Sequence, residues 1–290
     1  FTLSILATFS YALQSTLMTS FYRRMDRLSA VSYRGISLGI SMLPLLLFVP
    51  NADLIRAQDF IFHILAASVL AALGNWAAAN AYNHLPVGIA GALSMSFASI
   101  MVALIGFLLL GEILGRSQLI FIGLTLTGVI LLGQARSTGP LPKDYNVLKG
   151  ATNSLIFGIF LSGAYSTIGI VSRELHPFVA GYFWEFTIGL VAASVAIGRG
   201  LLGGVKPSGV SPKDFGLILL YSSPTVVGTG CYAYAMTIGP IAIATAIIST
   251  MMVFSTLLAY VIHKERLTSR QWVLLFFVCA MVIGLKFSTN

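Results

Sequence analysis

The sequence predicts an all-α integral membrane protein whose ten transmembrane helices form two inverted five-helix repeats around a central cavity. The first observation is a duplication, because residues 82–132 align without a gap on residues 235–285 at a constant offset of 153. The second is composition, since 57% of the 290 residues are apolar and only 9% are charged, as expected of a chain dissolved in lipid. The third is parity. Five crossings in the first repeat make the second enter the membrane from the opposite side.

The first repeat, residues 1–133, contains five segments that approach the roughly 20 apolar residues needed to cross the hydrocarbon. They lie near residues 1–22, 30–49, 60–82, 87–110 and 118–132. The second segment contains Gly35 and Gly39 in a G-x-x-x-G pattern, which predicts a close packing contact with another helix.

The second repeat, residues 148–290, follows a linker at residues 134–147 that is rich in Gly, Pro, Ser and charge, as loops are. Its five segments lie near residues 148–171, 178–197, 215–237, 241–262 and 271–286. Pro224 falls inside the eighth segment and removes one backbone donor there. The resulting kink could be a gating hinge or static, and both interpretations stay open.

The charges of the chain do not form a nucleic-acid-binding surface. Seventeen Lys and Arg against nine acidic residues give a net charge of +8, but these residues sit between apolar runs instead of forming a basic stripe with interleaved aromatics. The expected partners are the lipid bilayer and a small solute, with no nucleic acid. Cys231 and Cys279 lie inside apolar segments, where a thiol is usually a packing residue.

The ends of the fourth and ninth segments carry the most specific motif. Residues 108–112 are an apolar run closed by Gly-Glu, residues 261–265 are the matching run closed by Lys-Glu, and Gln118 and Gln271 follow the short loops. With ten helices in two inverted repeats, this pattern resembles the EamA-like drug/metabolite transporter superfamily over the whole chain. The resemblance implies small-molecule transport, as in members that export amino acids. It does not fix the substrate, because the superfamily moves many metabolites.

Small and hydroxyl side chains repeat at helical spacing along one face of helices four and nine. The candidates are Ser96 and Ser99 in helix four and Thr245 and Ser249 in helix nine. Such residues commonly serve close helix packing in lipid. The same faces of two inverted copies would, however, meet at the central pseudo-two-fold axis, where such proteins bind solute.

Helices one, three, six and eight add amide and aromatic groups. A polar stripe on helix one would be costly against lipid, so it should face protein or a wet cavity. Aromatics near helix ends could instead anchor at the membrane interface. The candidates are Tyr11, Gln14 and Ser15 in helix one, Asn75, Trp76 and Asn80 in helix three, Tyr165 and Ser166 in helix six, and Tyr232 and Tyr234 in helix eight.

Two charges fall clearly inside the predicted spans, Arg34 in helix two and Glu185 in helix seven. They occupy nearly equivalent positions of inverted repeats and hence opposite depths, so a salt bridge between them is not expected. Arg34 lies roughly 7 Å into its helix and could snorkel to the interface. Glu185 lies deeper and is a candidate for proton coupling, with a bond to a neighbouring hydroxyl as the alternative. The resemblance implies that helices two and seven are peripheral.

The missing residues narrow the substrate. The interiors of helices one, three, four, six, eight and nine hold no Lys or Arg, which disfavours phosphates and nucleotide sugars. Helix one also lacks the carboxylate that attracts cationic drugs in the small multidrug relatives. The neutral lining suits a small neutral or zwitterionic metabolite, with amino acids first and export as the direction. Another metabolite or drug class, or a passive small-solute channel, is the alternative.

No nucleophile with a base, paired aspartates or metal-ligand cluster is visible, so neither an enzyme nor a cofactor or metal site is predicted. A monomer in the inner membrane is expected. The resemblance implies that both termini are cytoplasmic. The loops conflict with this, because the odd-numbered loops carry twelve Lys and Arg against four in the even-numbered loops and the C-terminal end, and basic loops favour the cytoplasm.

Overall fold

The computed structural model describes residues 1–85, 87–134, 144–262 and 268–288. Ten helices, two of them interrupted, account for most of these residues. In lipid a backbone finds no water, so each apolar run satisfies its N–H and C=O groups within a helix. Helices 1 to 5 are Thr2–Arg24, Arg27–Met42, Ile61–His84, Val87–Leu109 and Arg116–Gln134. Helices 6 and 7 are Val147–Glu174 and Pro177–Leu201; helix 8 is Pro212–Ser222 with Pro224–Ile238; helix 9 is Ile241–Ser249 with Met251–Ile262; helix 10 is Ser269–Ser288.

Each predicted apolar segment overlaps one of these helices, so the predicted all-α class is confirmed. Three short stretches lie between helices 2 and 3: a 3-10 helix at Leu43–Phe48, an α-helix at Asn51–Arg56 and a 3-10 helix at Ala57–Phe60. Within the described residues, five stretches are by themselves long and apolar enough to cross a membrane: residues 27–48, 51–78, 147–174, 177–201 and 269–288. Glu265 and most of the predicted linker lie outside the described residues.

Equivalent two-residue turns join the helices of the two repeats. Met25 and Asp26 separate helices 1 and 2, and Leu175 and His176 separate helices 6 and 7. Asp26 accepts a hydrogen bond from the Ser29 N–H at 3.1 Å, and His176 Nδ1 accepts one from the Phe178 N–H at 3.3 Å. These side chains satisfy N–H groups that a helix start leaves without partners, which is why both helices begin directly after the turn.

The turns lie alternately on the two sides of the membrane. The linker face holds the turn at residues 25–26, the loop at residues 202–211 and the ends of helices 5 and 6 that flank the linker. The terminal face holds residues 110–115, 175–176 and 239–240, together with the start of helix 1 and the end of helix 10.

The two repeats interlock. Helix 3 packs against helix 6 and its counterpart helix 8 against helix 1, while helix 4 packs against helix 6 and helix 9 against helix 1. Helices 2, 4 and 5 each pack against their own counterparts, helices 7, 9 and 10. Reciprocal contacts of this kind are those of two inverted repeats related by a pseudo-two-fold axis in the membrane plane.

Helices 2 and 7 touch through their backbones. A Cβ atom placed on Gly35 would lie 2.5 Å from both Cα and N of Gly189 and 2.9 Å from the carbonyl oxygen of Glu185. Gly39 meets the ring of Phe186 equally closely. The predicted packing role of the G-x-x-x-G pattern is confirmed, and the contact brings the two charged spans together.

Helices 8 and 9 are each interrupted once. Pro224 has no N–H for the Leu220 carbonyl, and the Ser223 hydroxyl donates to that carbonyl instead, at 2.8 Å. Helix 9 was expected to be continuous over residues 241–262, but it breaks at Thr250. The hydroxyls of Ser249 and Thr250 donate at 2.6 Å to carbonyls three residues earlier, and such local bonds compete with the helical pattern.

Candidate functional site

Aromatic side chains from helices 6, 7 and 8 fill the centre of the bundle. The ring of Tyr165 lies edge-on to Tyr232, with centroids 5.1 Å apart, and to Trp184, with centroids 5.8 Å apart. Tyr232 is 1% exposed, and its hydroxyl lies 2.8 Å from Thr245 Oγ1. Because the Thr245 hydroxyl donates to the Ile241 carbonyl, Tyr232 is the donor to Thr245. The space predicted as a cavity is packed in this arrangement.

Several buried polar groups have no hydrogen-bond partner within the described residues, and three of them lie on helices 4, 6 and 7. Ser96 on helix 4 and Ser166 on helix 6 are 1% and 5% exposed, and within the described residues neither hydroxyl has a hydrogen-bond partner. The indole N–H of Trp184 also has none there. Ser99, in contrast, donates to the Thr245 carbonyl at 3.2 Å. Buried polar groups normally form hydrogen bonds, so the Ser96 and Ser166 hydroxyls and the Trp184 N–H are candidates for hydrogen bonds to a solute.

Arg34 and Glu185 form an ion pair, so the prediction that they lie at incompatible depths is wrong. Each terminal nitrogen of Arg34 lies 3.2 Å from one carboxylate oxygen of Glu185. The prediction compared helix positions and neglected both the length of the arginine side chain and the backbone contact beside it, where Gly35 meets the Glu185 carbonyl. The Glu185 side chain is only 3% exposed.

The ion pair is connected to helix 1 through helix 8. Thr229 donates a hydrogen bond to Glu185 Oε1 at 3.0 Å, and the Tyr11 hydroxyl lies 3.2 Å from Thr229 Oγ1. Since the Thr229 proton is used on Glu185, Tyr11 donates to Thr229. The central cluster is defined here as these residues with the aromatic centre: Tyr11, Arg34, Tyr165, Trp184, Glu185, Thr229, Tyr232 and Thr245.

Several predicted residues lie away from this cluster. Asn80 accepts a hydrogen bond from Arg27 at 2.8 Å near the linker face. Tyr234, which is 40% exposed, lies at the terminal face with its hydroxyl 2.8 Å from His176 Nε2. Trp76 is 47% exposed. Of the others, Gln14 is buried, Ser15 and Asn75 are half-buried, and Ser249 bonds its own helix.

Glu112 closes the terminal face, a role that the sequence analysis missed. Gly111 adopts φ of +65°, and the Glu112 N–H bonds the Gly106 carbonyl at 2.9 Å, a helix ending that favours glycine. This turn directs the Glu112 carboxylate to the N–H groups of Ile241 and Ala242, at 3.0 and 3.4 Å. A carboxylate stabilises a helix start, so repeat one caps a helix of repeat two.

Arg173 completes this contact from helix 6. Its guanidinium donates to Glu112 at 2.8 Å and to the Met236 carbonyl at 3.0 Å. Helices 4, 6, 8 and 9 are therefore tied together at the terminal face. The signal that could have found it was the duplication, because Glu112 falls on Glu265 at the offset of the repeat.

On the linker face an ion pair joins the turn after helix 1 to the end of helix 7. Arg199 lies 2.7 Å from Asp26, and the Asp26 N–H donates to the Ser208 hydroxyl at 2.9 Å. Partial burial raises the pKa of Asp26, but hydrogen bonds from Arg199 and Ser29 outweigh it, so the pKa lies below its ordinary value. The loop between helices 7 and 8 is thereby held on helix 2.

Two grooves open near the membrane faces. One, of about 210 Å³, lies at the terminal face between the ends of helices 2 and 8 and the start of helix 7, and it is lined by apolar residues with His176 and Tyr234. The other, of about 120 Å³, lies at the linker face beside Arg24 and Asp214. Except for Tyr234, the residues predicted to bind solute lie outside both linings.

Interlocked inverted repeats and interrupted helices are typical of membrane transporters. The chain belongs to the EamA-like transporter family, whose model matches residues 1–134 and 149–287. It is thus a multi-pass membrane transporter, and the family is one of transporters, not enzymes.

Comparison with solved structures gives the same fold. A structure described only as "Crystal structure of protein" superposes with a TM-score of 0.71, covering 100% of this chain and 96% of the other at 15% sequence identity. That likeness shows the architecture alone. No curated protein matches the chain.

Proposed function

We propose that this transporter carries amino acids, including aromatic and other apolar ones, by alternating access and exports them across the inner membrane. The solute would bind at the central cluster together with Ser96 and Ser166 when the packing of helices 1, 4, 6, 8 and 9 opens toward one face. The lining that supports this is hydroxyl-bearing and aromatic. It offers hydrogen bonds and apolar walls without a net charge.

The observation that carries the proposal is the set of buried, unbonded polar groups. Ser96, Ser166 and the Trp184 N–H each forgo a hydrogen bond in the packed arrangement, and such a loss costs about 1 to 3 kcal/mol per group. A solute that bonds them on opening recovers part of this free energy. The groups are therefore better suited to recognition than to stability.

Alternating access is supported by the separate contacts at the two faces. Glu112 with Arg173 joins helices 4, 6, 8 and 9 on the terminal face, and Asp26 with Arg199 joins helices 2 and 7 on the linker face. In an alternating transporter one face opens while the other stays closed. Because each face has its own contacts, the contacts of one face can break while those of the other stay in place.

The proposed orientation has both termini in the cytoplasm, as the family resemblance implies. The linker and the other odd-numbered loops would then lie outside, against the bias of twelve Lys and Arg to four. The proposed unit is a monomer, because the solute path lies between the two repeats of one chain.

Counterflow in proteoliposomes tests the function. Vesicles preloaded with unlabelled phenylalanine or leucine should transiently accumulate the labelled amino acid, whereas a passive pore gives no such overshoot. Ser96→Ala should slow this uptake about fivefold, the effect of one lost hydrogen bond. It should not lower thermal stability, since the hydroxyl has no partner in the packed arrangement.

The matched control is Ser94→Ala, two residues away on the same helix. Ser94 is also 1% exposed and without a hydrogen-bond partner within the described residues, but side chains two residues apart on a helix point in nearly opposite directions. Its replacement should leave uptake unchanged. Equal effects of the two replacements, or uptake without an overshoot, would contradict the proposal.

A further inference from the structure

A buried ion pair is rarely explained by stability alone, because apolar residues of similar volume often serve as well or better. Three ion pairs lie within the described residues at different depths: Asp26–Arg199 and Glu112–Arg173 at the faces and Arg34–Glu185 within the spans. The last touches the central cluster through Thr229 and Tyr11. Its carboxylate is used unevenly: Oε1 accepts well-aligned hydrogen bonds, whereas Oε2 has only the charge contact with Arg34.

We propose that Arg34 and Glu185 recognise the two charges of an amino acid, with Arg34 binding the carboxylate and Glu185 the ammonium group. The inference rests on the proposed function and specifies its substrate class as a zwitterion. Without solute the two side chains neutralise each other. On binding, Arg34 exchanges the Glu185 carboxylate for the carboxylate of the solute, and Glu185 exchanges the Arg34 guanidinium for the ammonium group of the solute.

Charge balance explains why such an exchange selects zwitterions. An amino acid supplies a carboxylate for Arg34 and an ammonium group for Glu185, so every buried charge keeps a partner. A solute with only a positive charge would leave the Arg34 guanidinium without a counter-ion. A solute with only a negative charge would leave the Glu185 carboxylate without one. An uncompensated buried charge is strongly destabilising, and both classes are therefore rejected.

The surroundings of the pair fit this role. The two charged groups of an α-amino acid are attached to one carbon, so a single small group placed between Arg34 and Glu185 can contact both side chains. Thr229 and Tyr11 bond the carboxylate of Glu185 in series and can hold it in place during the exchange. Trp184, next to Glu185, and Tyr165 provide an aromatic wall for an apolar side chain.

Binding to the purified transporter in detergent tests the inference with three probes: phenylalanine, N-acetylphenylalanine without the ammonium group, and phenylalaninamide without the carboxylate. The wild type should bind phenylalanine about 30-fold or more tightly than either derivative. Glu185→Gln should lose the preference over N-acetylphenylalanine but keep that over phenylalaninamide. Arg34→Gln should do the reverse. A purely structural ion pair would not produce these opposite changes.

The double variant Arg34→Gln/Glu185→Gln guards against misfolding, because it leaves no unpaired charge in the spans. It should fold and lose both preferences, whereas the control double variant Asp26→Asn/Arg199→Gln at the linker face should keep both. Two results would overturn the inference without affecting counterflow. One is that the first double variant keeps both preferences. The other is that Glu185→Gln loses a pH dependence of transport but keeps both preferences. Absence of counterflow for every amino acid in the wild type would remove the proposed function, and this inference with it.

Discussion

At the scale of single residues, the contact between Gly35 and Gly189 sets the distance between helices 2 and 7. A side chain at either position would collide with main-chain atoms, which cannot move aside as the end of a flexible side chain can. The carbonyl of Glu185 lies against the same glycine. The contact therefore fixes the separation at which Arg34 reaches its partner.

Gly35→Ala should destabilise the transporter by about 1 to 3 kcal/mol, as overpacking of a close contact does. Thermal unfolding in detergent measures this. The matched control is Gly123→Ala on helix 5, where an added Cβ meets nothing within 4 Å and should be neutral or slightly stabilising. A variant Gly35→Ala as stable as Gly123→Ala would show that helices 2 and 7 can separate without loss.

The residues that turn inward could be predicted from spacing, but their partners could not. Helical periodicity and the duplication predicted that Tyr165, Tyr232 and Thr245 face the interior. In the structure these three side chains lie in contact. The pairing of Arg34 with Glu185 depends on the approach of two helices far apart in sequence and on the reach of one side chain. Neither quantity is encoded in the spacing along one helix.

At the scale of helices, the start of helix 9 depends on a residue from the other repeat. Glu112 accepts hydrogen bonds from two of its first N–H groups, and Arg173 holds that carboxylate in place. These bonds can form only while the ends of helices 4 and 6 lie beside helix 9. Opening the terminal face must therefore break them.

Glu112→Ala should open the terminal face more often. The reporter is Met236→Cys in a background of Cys231→Ser and Cys279→Ser. The wild-type Met236 side chain is 1% exposed, and its own carbonyl accepts a hydrogen bond from Arg173. The reaction of the introduced thiol with a water-soluble maleimide should become about tenfold faster, since loss of a charged hydrogen bond costs about 1.5 to 3 kcal/mol. Glu174→Ala removes an exposed carboxylate from the same face and should not change the rate. Equal rates in both variants would show that Glu112 does not hold this face closed.

Helix interruptions were only partly visible in the sequence. Pro224 marks the one in helix 8, because proline lacks the donor that a continuous helix needs. Nothing comparable marks Thr250, since serine and threonine are common in unbroken transmembrane helices, and helix 4 passes without a break through Ser96, the counterpart of Ser249. The difference is that the Ser249 hydroxyl donates to the Ala246 carbonyl, whereas the Ser96 hydroxyl has no hydrogen-bond partner within the described residues.

At the scale of the whole molecule, the duplication was enough to predict ten helices in two inverted repeats, because parity follows from counting segments. Orientation is a separate question. The proposed arrangement places both termini in the cytoplasm, and the basic loops oppose it.

Cysteine labelling in intact cells decides the orientation. In the same cysteine-free background, Ser137→Cys in the linker should react with a membrane-impermeant maleimide from outside. Asn51→Cys, exposed near the terminal face, should react only after permeabilisation. The reverse pattern would place the termini outside and show that the loop charges determine the topology.

The Arg34–Glu185 pair also bears on how the protein is made. Each repeat contributes one of the two charges, and a single buried charge in a membrane helix costs about 2.5 to 3.5 kcal/mol on the insertion scale. Until helix 7 arrives, the first half of a newly made chain has an arginine within its spans whose buried counter-ion is still to be synthesised. A chain that ends before helix 7 would therefore keep an unmatched arginine within its spans.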